Sequence, residues 1–270
     1  MLPLSPADEY LVAVTAATAL GLLFAAAVLL PRRPTWYVRE FLRTDWKYLG
    51  VAWLVADRLP SLAEANHVAR TYTDAVYALD GGLVAGVQSV ASPPLTWALA
   101  GFYLVVFPVL VPLTYLVLKS YASERAARRY AVSYVLVVLL ATPFFLLTPV
   151  SIPALYPPAN VDPLVFVTPE VEAGMLATDS MLKAFPSLHT GLSVLAALYA
   201  RKTTRGYARA AGAAAAVIVV STVYLGMHWP VDAAAGGVLA GVAYVLGHRI
   251  PPESVLPFPG YHRIVARLRD

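Results

Sequence analysis

The sequence predicts an all-α, polytopic integral membrane protein with six or seven transmembrane helices. Hydrophobic residues make up 59% of the 270 residues, charged residues only 13%, and the mean hydropathy is +0.65. Soluble domains typically contain about a quarter charged residues, so lipid is the expected solvent for most of this chain. The apolar residues also fall into long runs separated by short basic clusters, as in membrane helices and their loops.

Six mostly apolar runs are candidate spans, because each approaches the length needed to cross a hydrocarbon core of about 30 Å. They are residues 10–30, 95–118, 130–150, 186–200, 208–225 and 231–246. Pro108 and Pro112 are expected to kink the second run. Residues 48–62 are mixed in character and are the candidate for a further crossing, since some part of 34–94 must cross the membrane.

Basic clusters set the predicted orientation. By the positive-inside rule, the arginines in 119–129 and the basic residues in 201–209 place both loops in the cytoplasm. The proline-rich loop 151–185 and the joint 226–230 then lie on the extracytoplasmic face. A loop as long as 151–185 is often functional.

The first chemically suggestive segment is FPSLHTG, residues 185–191. Pro186 is tolerated in a first helical turn and Ser187 is a natural cap, so His189 is predicted at the start of a membrane helix. The free N–H groups and positive end of such a helix favour an anion. Lys183 adds a cation just upstream.

The second segment is STVYLGMHWPVD, residues 221–232. Gly226 suits the end of one helix, and Pro230 suits the start of the next. Asp232 then falls in a first turn, four residues after His228, from where its carboxylate can reach the imidazole. A carboxylate on one ring nitrogen fixes the tautomer and leaves the other nitrogen free as a nucleophile.

A lone interfacial histidine is often only a polar anchor, and an aspartate at a helix start is often only a partner of the helix dipole. Two histidines and an aspartate on one face of a membrane bundle point to catalysis instead, because ionisable groups are costly there. His67, His248 and His262 lack such company and are predicted to be structural or surface residues. The chain has no cysteine, which excludes thiolate metal sites and cysteine nucleophiles.

The two segments resemble the second and third motifs of the type 2 phosphatidic acid phosphatase superfamily of membrane lipid phosphatases and phosphotransferases. The likeness is closest to the branch with fungal inositol phosphorylceramide synthase, which favours FPSLH-[ST]-G and S-T-x-Y-x-x-x-H-[YW]-x-x-D. The motifs cover about residues 180–240, and the pattern of spans extends the likeness back to about residue 95.

The resemblance implies a role for each matching residue. His228 would attack phosphorus and form a phosphohistidine, and Asp232 would orient and polarise it. His189 would protonate the leaving oxygen and then take a proton from water or an alcohol. Lys183 and Ser187 are the candidate phosphate-binding residues. No metal and no other cofactor is implied, and no cluster of carboxylates suited to a metal is present in the sequence.

One departure concerns charge. The family's first motif carries a lysine and an arginine that bind phosphate, but residues 150–182 contain neither residue type. Thr222 also stands where the third motif commonly has arginine. Lys183 is therefore the only cation predicted near the site, so a phosphodiester with one charge is expected to suit it better than a monoester.

The predicted function is cleavage or transfer of a phosphoryl group or phospho-headgroup of a membrane lipid, with the motif branch favouring transfer. A lipid transporter or scramblase is an alternative, because prolines can mark broken helices, but the sequence shows no internal repeat. A catalytically inactive lipid-binding relative is another. A Ser-His-Asp hydrolase would need a G-x-S-x-G elbow, which is absent around Ser187.

Three regions are predicted. Residues 1–94 hold the first span and an interfacial helical region, 95–250 form the catalytic membrane domain, and 251–270 form a basic cytoplasmic tail. The expected partners are the membrane and a lipid phosphate substrate, not nucleic acid. Arginine-rich and alanine-rich composition favours a prokaryotic cytoplasmic membrane, with the site on its extracytoplasmic face.

Overall fold

The computed structural model describes residues 4–44 and 71–250, and within these ranges it contains helices and no strand. The helices are α1 Pro6–Leu29, α2 Pro34–Thr44, α3 Thr73–Asp80, α4 Leu83–Gln88, α5 Pro93–Tyr121, α6 Glu124–Leu147, α7 Pro169–Thr178, α8 Leu188–Ala200, α9 Arg205–Tyr224 and α10 Pro230–Arg249. Two single 3-10 turns, Pro153–Leu155 and Pro157–Ala159, lie in the long loop after α6.

Five of these helices are long and apolar enough to cross a membrane: α1, α5, α6, α9 and α10. The shorter apolar helix α8 has 13 residues and packs between α5, α6, α9 and α10. The prediction of an all-α polytopic membrane bundle is therefore confirmed. The predicted crossing at 48–62 and the predicted tail at 251–270 lie outside the described residues.

Helix α5 is irregular where prolines interrupt it. Residues Phe102–Val106 form a π-helical turn just before Pro108, and Pro112 lies inside the following α-helical part. Proline has no N–H, so the carbonyl of Leu104 lacks its usual partner four residues on. The predicted distortion at these prolines thus takes the form of a widened turn, a feature often found at functional sites.

Helices α8 and α10 approach each other at backbone distance. A Cβ atom on Gly236 would lie 2.3 Å from the carbonyl oxygen of Ser187, and one on Gly191 would lie 3.2 Å from the carbonyl oxygen of Gly236. Small residues permit this kind of close packing between membrane helices. The contact holds the start of α8 against the first half of α10.

Helices α1 and α7 pack together beside that region. A Cβ atom on Gly174 in α7 would come within 2.1 Å of the ring of Tyr10 in α1, so the tyrosine ring lies directly on the helix backbone. The amino-terminal half of α1 therefore lies at the same end of the bundle as the starts of α8 and α10.

Helix α2 and Tyr72 lie at opposite ends of the bundle. At one end, the hydroxyls of Tyr37 in α2 and Ser120 in α5 are 2.8 Å apart. At the other, the backbone N–H of Tyr72 donates to the carbonyl oxygen of Pro149 at 2.9 Å.

Candidate functional site

Paired backbone segments form the floor of the site. Val150 donates its N–H to the carbonyl oxygen of Leu182, and Ala184 donates back to the carbonyl oxygen of Val150, both at 3.0 Å. Ile152 donates to the carbonyl oxygen of Met181 at 3.0 Å. The chain before α8 is therefore fixed against the chain after α6, and this fixes the position of the Ala184 carbonyl.

The joint between α9 and α10 is locked onto this floor. Gly226 has a φ of 76°, a conformation that favours glycine, and ends α9 as the sequence predicts. Trp229 is the cap residue of α10, and its buried indole N–H donates to the carbonyl oxygen of Ser151 at 2.9 Å. Because the indole has one fixed donor, this bond orients the joint that carries His228.

His228 and Asp232 are both buried, with exposed fractions of 5% and 0%. The Nδ1 atom of His228 lies 2.8 Å from the carbonyl oxygen of Ala184 and 3.6 Å from Oδ2 of Asp232. Asp232 Oδ2 instead accepts the N–H of Trp229 at 2.8 Å. The carboxylate thus lies close to the imidazole while it caps the helix on which it stands.

This arrangement changes one part of the predicted geometry. The Ala184 carbonyl, rather than the Asp232 carboxylate, lies within hydrogen-bonding distance of His228 Nδ1. A carbonyl oxygen can only accept, so it selects the tautomer with the proton on Nδ1 and leaves Nε2 as the free nitrogen. At 3.6 Å the carboxylate is placed to stabilise a positive imidazole by charge.

His189 stands in the first turn of α8, as predicted from the Ser187 cap. Its ring stacks on Tyr103, with centroids 4.2 Å apart and planes inclined by 23°, and it also contacts Phe107 at 4.4 Å. The π-helical turn of α5 supplies Tyr103. The ring centroids of His189 and His228 are 5.8 Å apart, so the two histidines face one small volume.

A cavity of about 390 Å³ lies beside these two histidines and is lined by both of them. Tyr10, Phe107 and Phe145 contribute to an apolar wall drawn from three different helices. This volume falls within the range of small-ligand sites, and its apolar wall suits the hydrocarbon part of a lipid.

The polar wall of the cavity comes from the chain between α7 and α8. It includes Lys183, the predicted cation, and Asp179, whose Oδ1 lies 3.6 Å from Lys183 Nζ. The Asp179 side chain is 49% exposed; partial desolvation by the surrounding protein raises the pKa of Asp179, and the neighbouring Lys183 lowers this pKa in part. The cation expected to bind phosphate therefore already has a carboxylate beside it.

Ser187 lies behind the cavity wall. The residue is buried, its hydroxyl accepts the N–H of Thr190 at 3.2 Å, and its backbone N–H donates to the carbonyl oxygen of Asp232 at 3.0 Å. The structure thus gives Ser187 a capping contact within α8, and its phosphate-binding role stays a prediction. In residues 4–44 and 71–250, no group of three or more histidine and acidic residues could hold a metal ion.

One acidic residue near the site was not singled out from the sequence. Asp80 ends α3, is 8% exposed, and its Oδ2 accepts the N–H of Val231 at 3.0 Å. Burial raises the pKa of Asp80, and the hydrogen bond from Val231 lowers it in part. Asp80 and Asp232 therefore both cap the start of α10. A single aspartate between a short apolar segment and two glycines has no pattern that signals such a role.

Among the other three histidines, the structure describes only His248, which lies away from the site as expected. His248 is near the end of α10, where its Nδ1 lies 2.7 Å from the carbonyl oxygen of Tyr244 and its Nε2 contacts Lys202 Nζ. His67 and His262 lie outside the described residues.

Comparisons with known proteins agree with this geometry at the level of the family. No curated protein matched the chain, and no solved structure matched it. The family model of the PAP2 superfamily matches residues 79–246. This is the superfamily that the two sequence motifs resemble. This range covers more than half of the chain and includes all three of His189, His228 and Asp232, so the protein belongs to the PAP2 superfamily.

Proposed function

We propose that this protein is a lipid phosphatase or phosphotransferase that forms a phosphohistidine on Nε2 of His228. Membership of the PAP2 superfamily supports a lipid enzyme of this type. The observation that carries the finer proposal is the 2.8 Å contact between His228 Nδ1 and the Ala184 carbonyl, beside a cavity that His189 also lines. A carbonyl at Nδ1 leaves Nε2 as the nucleophile.

In the first half-reaction, Nε2 of His228 attacks phosphorus and the bond from phosphorus to the leaving oxygen breaks. His189 in its protonated form gives its proton to that oxygen. A positive imidazole forms on His228, and Asp232 at 3.6 Å stabilises it without taking its proton.

In the second half-reaction, water or a lipid alcohol enters the cavity. His189, now neutral, takes the proton of the incoming hydroxyl as the oxygen attacks phosphorus. The bond between phosphorus and Nε2 breaks, and His228 returns to its first state. The product is free phosphate or a phosphomonoester when water attacks, and a new phospholipid when an alcohol attacks.

The charges of the cavity support a phosphodiester substrate over a monoester. Among the described residues that line the cavity, Lys183 is the only lysine or arginine, and Asp179 lies 3.6 Å from it and offsets its charge. A group with one negative charge needs less compensation than a group with two. The inositol phosphorylceramide synthase-like motifs favour an alcohol as the acceptor, by analogy.

We also propose that the site faces the extracytoplasmic side of a prokaryotic cytoplasmic membrane. The joint 226–230 and the chain that holds Lys183 lie at one end of the bundle. The loop between α8 and α9, with Arg201, Lys202 and Arg205, lies at the other. The positive-inside rule assigns this basic end to the cytoplasm. Residues 95–250 would then form the catalytic domain, and residues 1–94 would form a separate region with the first span and the interfacial helices.

The decisive experiment follows turnover of phosphatidic acid, a prenyl diphosphate and an inositol phospholipid by the purified protein in detergent with EDTA, with and without a lipid alcohol. His228→Ala should lower turnover by about a thousandfold or more, because it removes the nucleophile. His262→Ala in the predicted tail serves as the matched histidine control.

The products distinguish the two reactions. Free phosphate that is lost in His228→Ala indicates a phosphatase, and a new phospholipid that needs the alcohol indicates a transferase. Labelled phosphate that stays on the wild-type protein in base and is released in acid would indicate a phosphohistidine. The same label should be absent from His228→Ala. Full turnover by His228→Ala would contradict the proposal.

A further inference from the structure

A second cavity, of about 410 Å³, lies at the end of the bundle opposite the two histidines. Its walls come from the end of α5, the start of α6 and the turn between α8 and α9. Three of its lining residues are cations, Arg125, Arg129 and Lys202. This cavity shares no lining residue with the catalytic cavity.

Lys202 is held rigidly at this cavity. Its Nζ contacts Nε2 of His248 and lies 5.3 Å from the ring centroid of Tyr199 and 5.6 Å from that of Tyr244. Nδ1 of His248 lies 2.7 Å from the carbonyl oxygen of Tyr244, so Nδ1 carries the proton and Nε2 accepts from the ammonium group. This contact holds Lys202 through an acceptor that carries no negative charge.

Arg129 adds a second charge with spare hydrogen-bonding capacity. Its Nε atom is buried, and in the part of the chain that the structure describes it has no hydrogen-bond partner. Burial lowers the pKa of Lys202, and the charge of Arg129 lowers this pKa further. Two cations that repel each other at a half-enclosed site favour the binding of an anion between them.

The carboxylate in the first turn of α6 is engaged in an ion pair of its own. Glu124, the acidic residue in the first turn of α6, pairs with Arg128 at 2.6 Å. The start of α6 instead turns its positive end toward the cavity that Ser123 lines. Within residues 4–44 and 71–250, the lining of this cavity contains cations and no acidic side chain.

We propose that Arg125, Arg129 and Lys202 form a binding site for a phosphate group, supplied by the headgroup of an anionic phospholipid. Guanidinium and ammonium groups together suit the oxygens of a phosphate. The spans α5 and α6 end at this cavity, which places it at the depth of lipid headgroups. Basic pockets between membrane helices are known to hold such headgroups. The inference is independent of the proposed catalytic function.

The test uses the purified full-length protein in a neutral detergent. Binding of phosphatidylglycerol, phosphatidylcholine and inorganic phosphate is measured by native mass spectrometry and by the shift of the thermal unfolding midpoint. The site variant is Arg129→Gln with Lys202→Gln, which keeps most of both side-chain stems. The matched control is Arg205→Gln with Arg209→Gln, two exposed arginines at the same end of the bundle.

We expect the site variant to bind phosphatidylglycerol about tenfold more weakly, since two charge-assisted contacts are lost, and the control to stay within about twofold of wild type. Phosphatidylcholine should show no difference between the variants. In another outcome, inorganic phosphate raises the unfolding midpoint of the wild type as much as phosphatidylglycerol does, and fails to do so in the site variant. That result would show that the site binds phosphate but takes it as a free anion and not as a lipid headgroup. Equal losses in site and control variants would overturn the proposal.

A third variant keeps the test decisive if the double substitution prevents folding. Arg125 is exposed, so Arg125→Gln removes a cation of the lining without disturbing buried contacts. We expect a loss of phosphatidylglycerol affinity of about threefold. Wild-type affinity in Arg125→Gln, together with unchanged salt dependence, would refute the site.

Discussion

Replacing Gly236 with alanine should disable the site without touching a catalytic side chain. The new Cβ atom would lie 2.3 Å from the carbonyl oxygen of Ser187, whereas a carbon atom normally approaches such an oxygen to about 3.3 Å. The start of α8 must therefore move away from α10 by about 1 Å. Ser187 is the cap residue of α8 and His189 stands in its first turn, so this movement shifts His189.

The displaced pair is the one on which the proposed chemistry depends. His228 precedes α10 and His189 stands on α8, with ring centroids 5.8 Å apart. A misplacement of about 1 Å can lower a rate by about a hundredfold. The overpacked contact should also cost about 1–3 kcal/mol of the free energy of unfolding.

The assay compares Gly236→Ala with Gly237→Ala on whichever lipid phosphate the wild type turns over. A Cβ atom on Gly237 meets nothing within 4 Å, so this variant makes the same chemical change on an open face of the same helix. It should keep wild-type activity and gain up to about 1 kcal/mol of stability from the helix propensity of alanine. Activity and thermal unfolding are measured on the same preparations.

The reasoning fails if Gly236→Ala turns over substrate within about threefold of wild type while it remains folded. It also fails if Gly237→Ala loses as much activity as Gly236→Ala, because the loss would then not depend on the approach of α8 to α10.

Two further predictions concern carboxylates. Burial raises the pKa of Asp80, so the folded state holds this proton more tightly than the unfolded chain, and stability is lost as the pH rises through the folded pKa. In denaturation experiments at a series of pH values, Asp80→Asn should flatten this decline in stability. Asp80→Ala should cost about 1 kcal/mol more than Asp80→Asn, because it also removes the acceptor of the Val231 N–H. An unchanged pH profile in Asp80→Asn would contradict the argument. Asp179→Asn should raise kcat/KM for phosphomonoesters relative to phosphodiesters by about tenfold, because Lys183 would no longer be offset, and Lys183→Gln should lower kcat/KM for both. A ratio that is the same in Asp179→Asn and wild type would count against a role for this pair in selecting charge.

Much of the fold was predictable because lipid imposes simple rules on sequence. Long apolar runs must be helices, since backbone groups in hydrocarbon have to be satisfied within the segment. The start of α8 was also predictable, because Ser187 has the chemistry of a cap and places His189 in the first turn. Gly226 likewise marked the end of α9, where the backbone adopts a positive φ.

The contacts that set the state of His228 were not predictable, because they depend on distant backbone. The Ala184 carbonyl reaches His228 only because Val150 pairs with the chain around Lys183, and no side-chain pattern encodes that pairing. Asp80 was missed for a similar reason. Its role depends on the packing of α3 against α10, which a single aspartate between two short apolar segments does not signal.

The ring of Tyr10 joins the cavity wall from a helix that precedes the matched region, residues 79–246. The proposed catalytic residues therefore lie in one stretch of the chain, and a residue that shapes the substrate cavity lies in another. Changes in α1 could alter which lipid fits without changing the reaction. An exchange of α1 between relatives would then be a route to new substrate preferences around a constant pair of histidines.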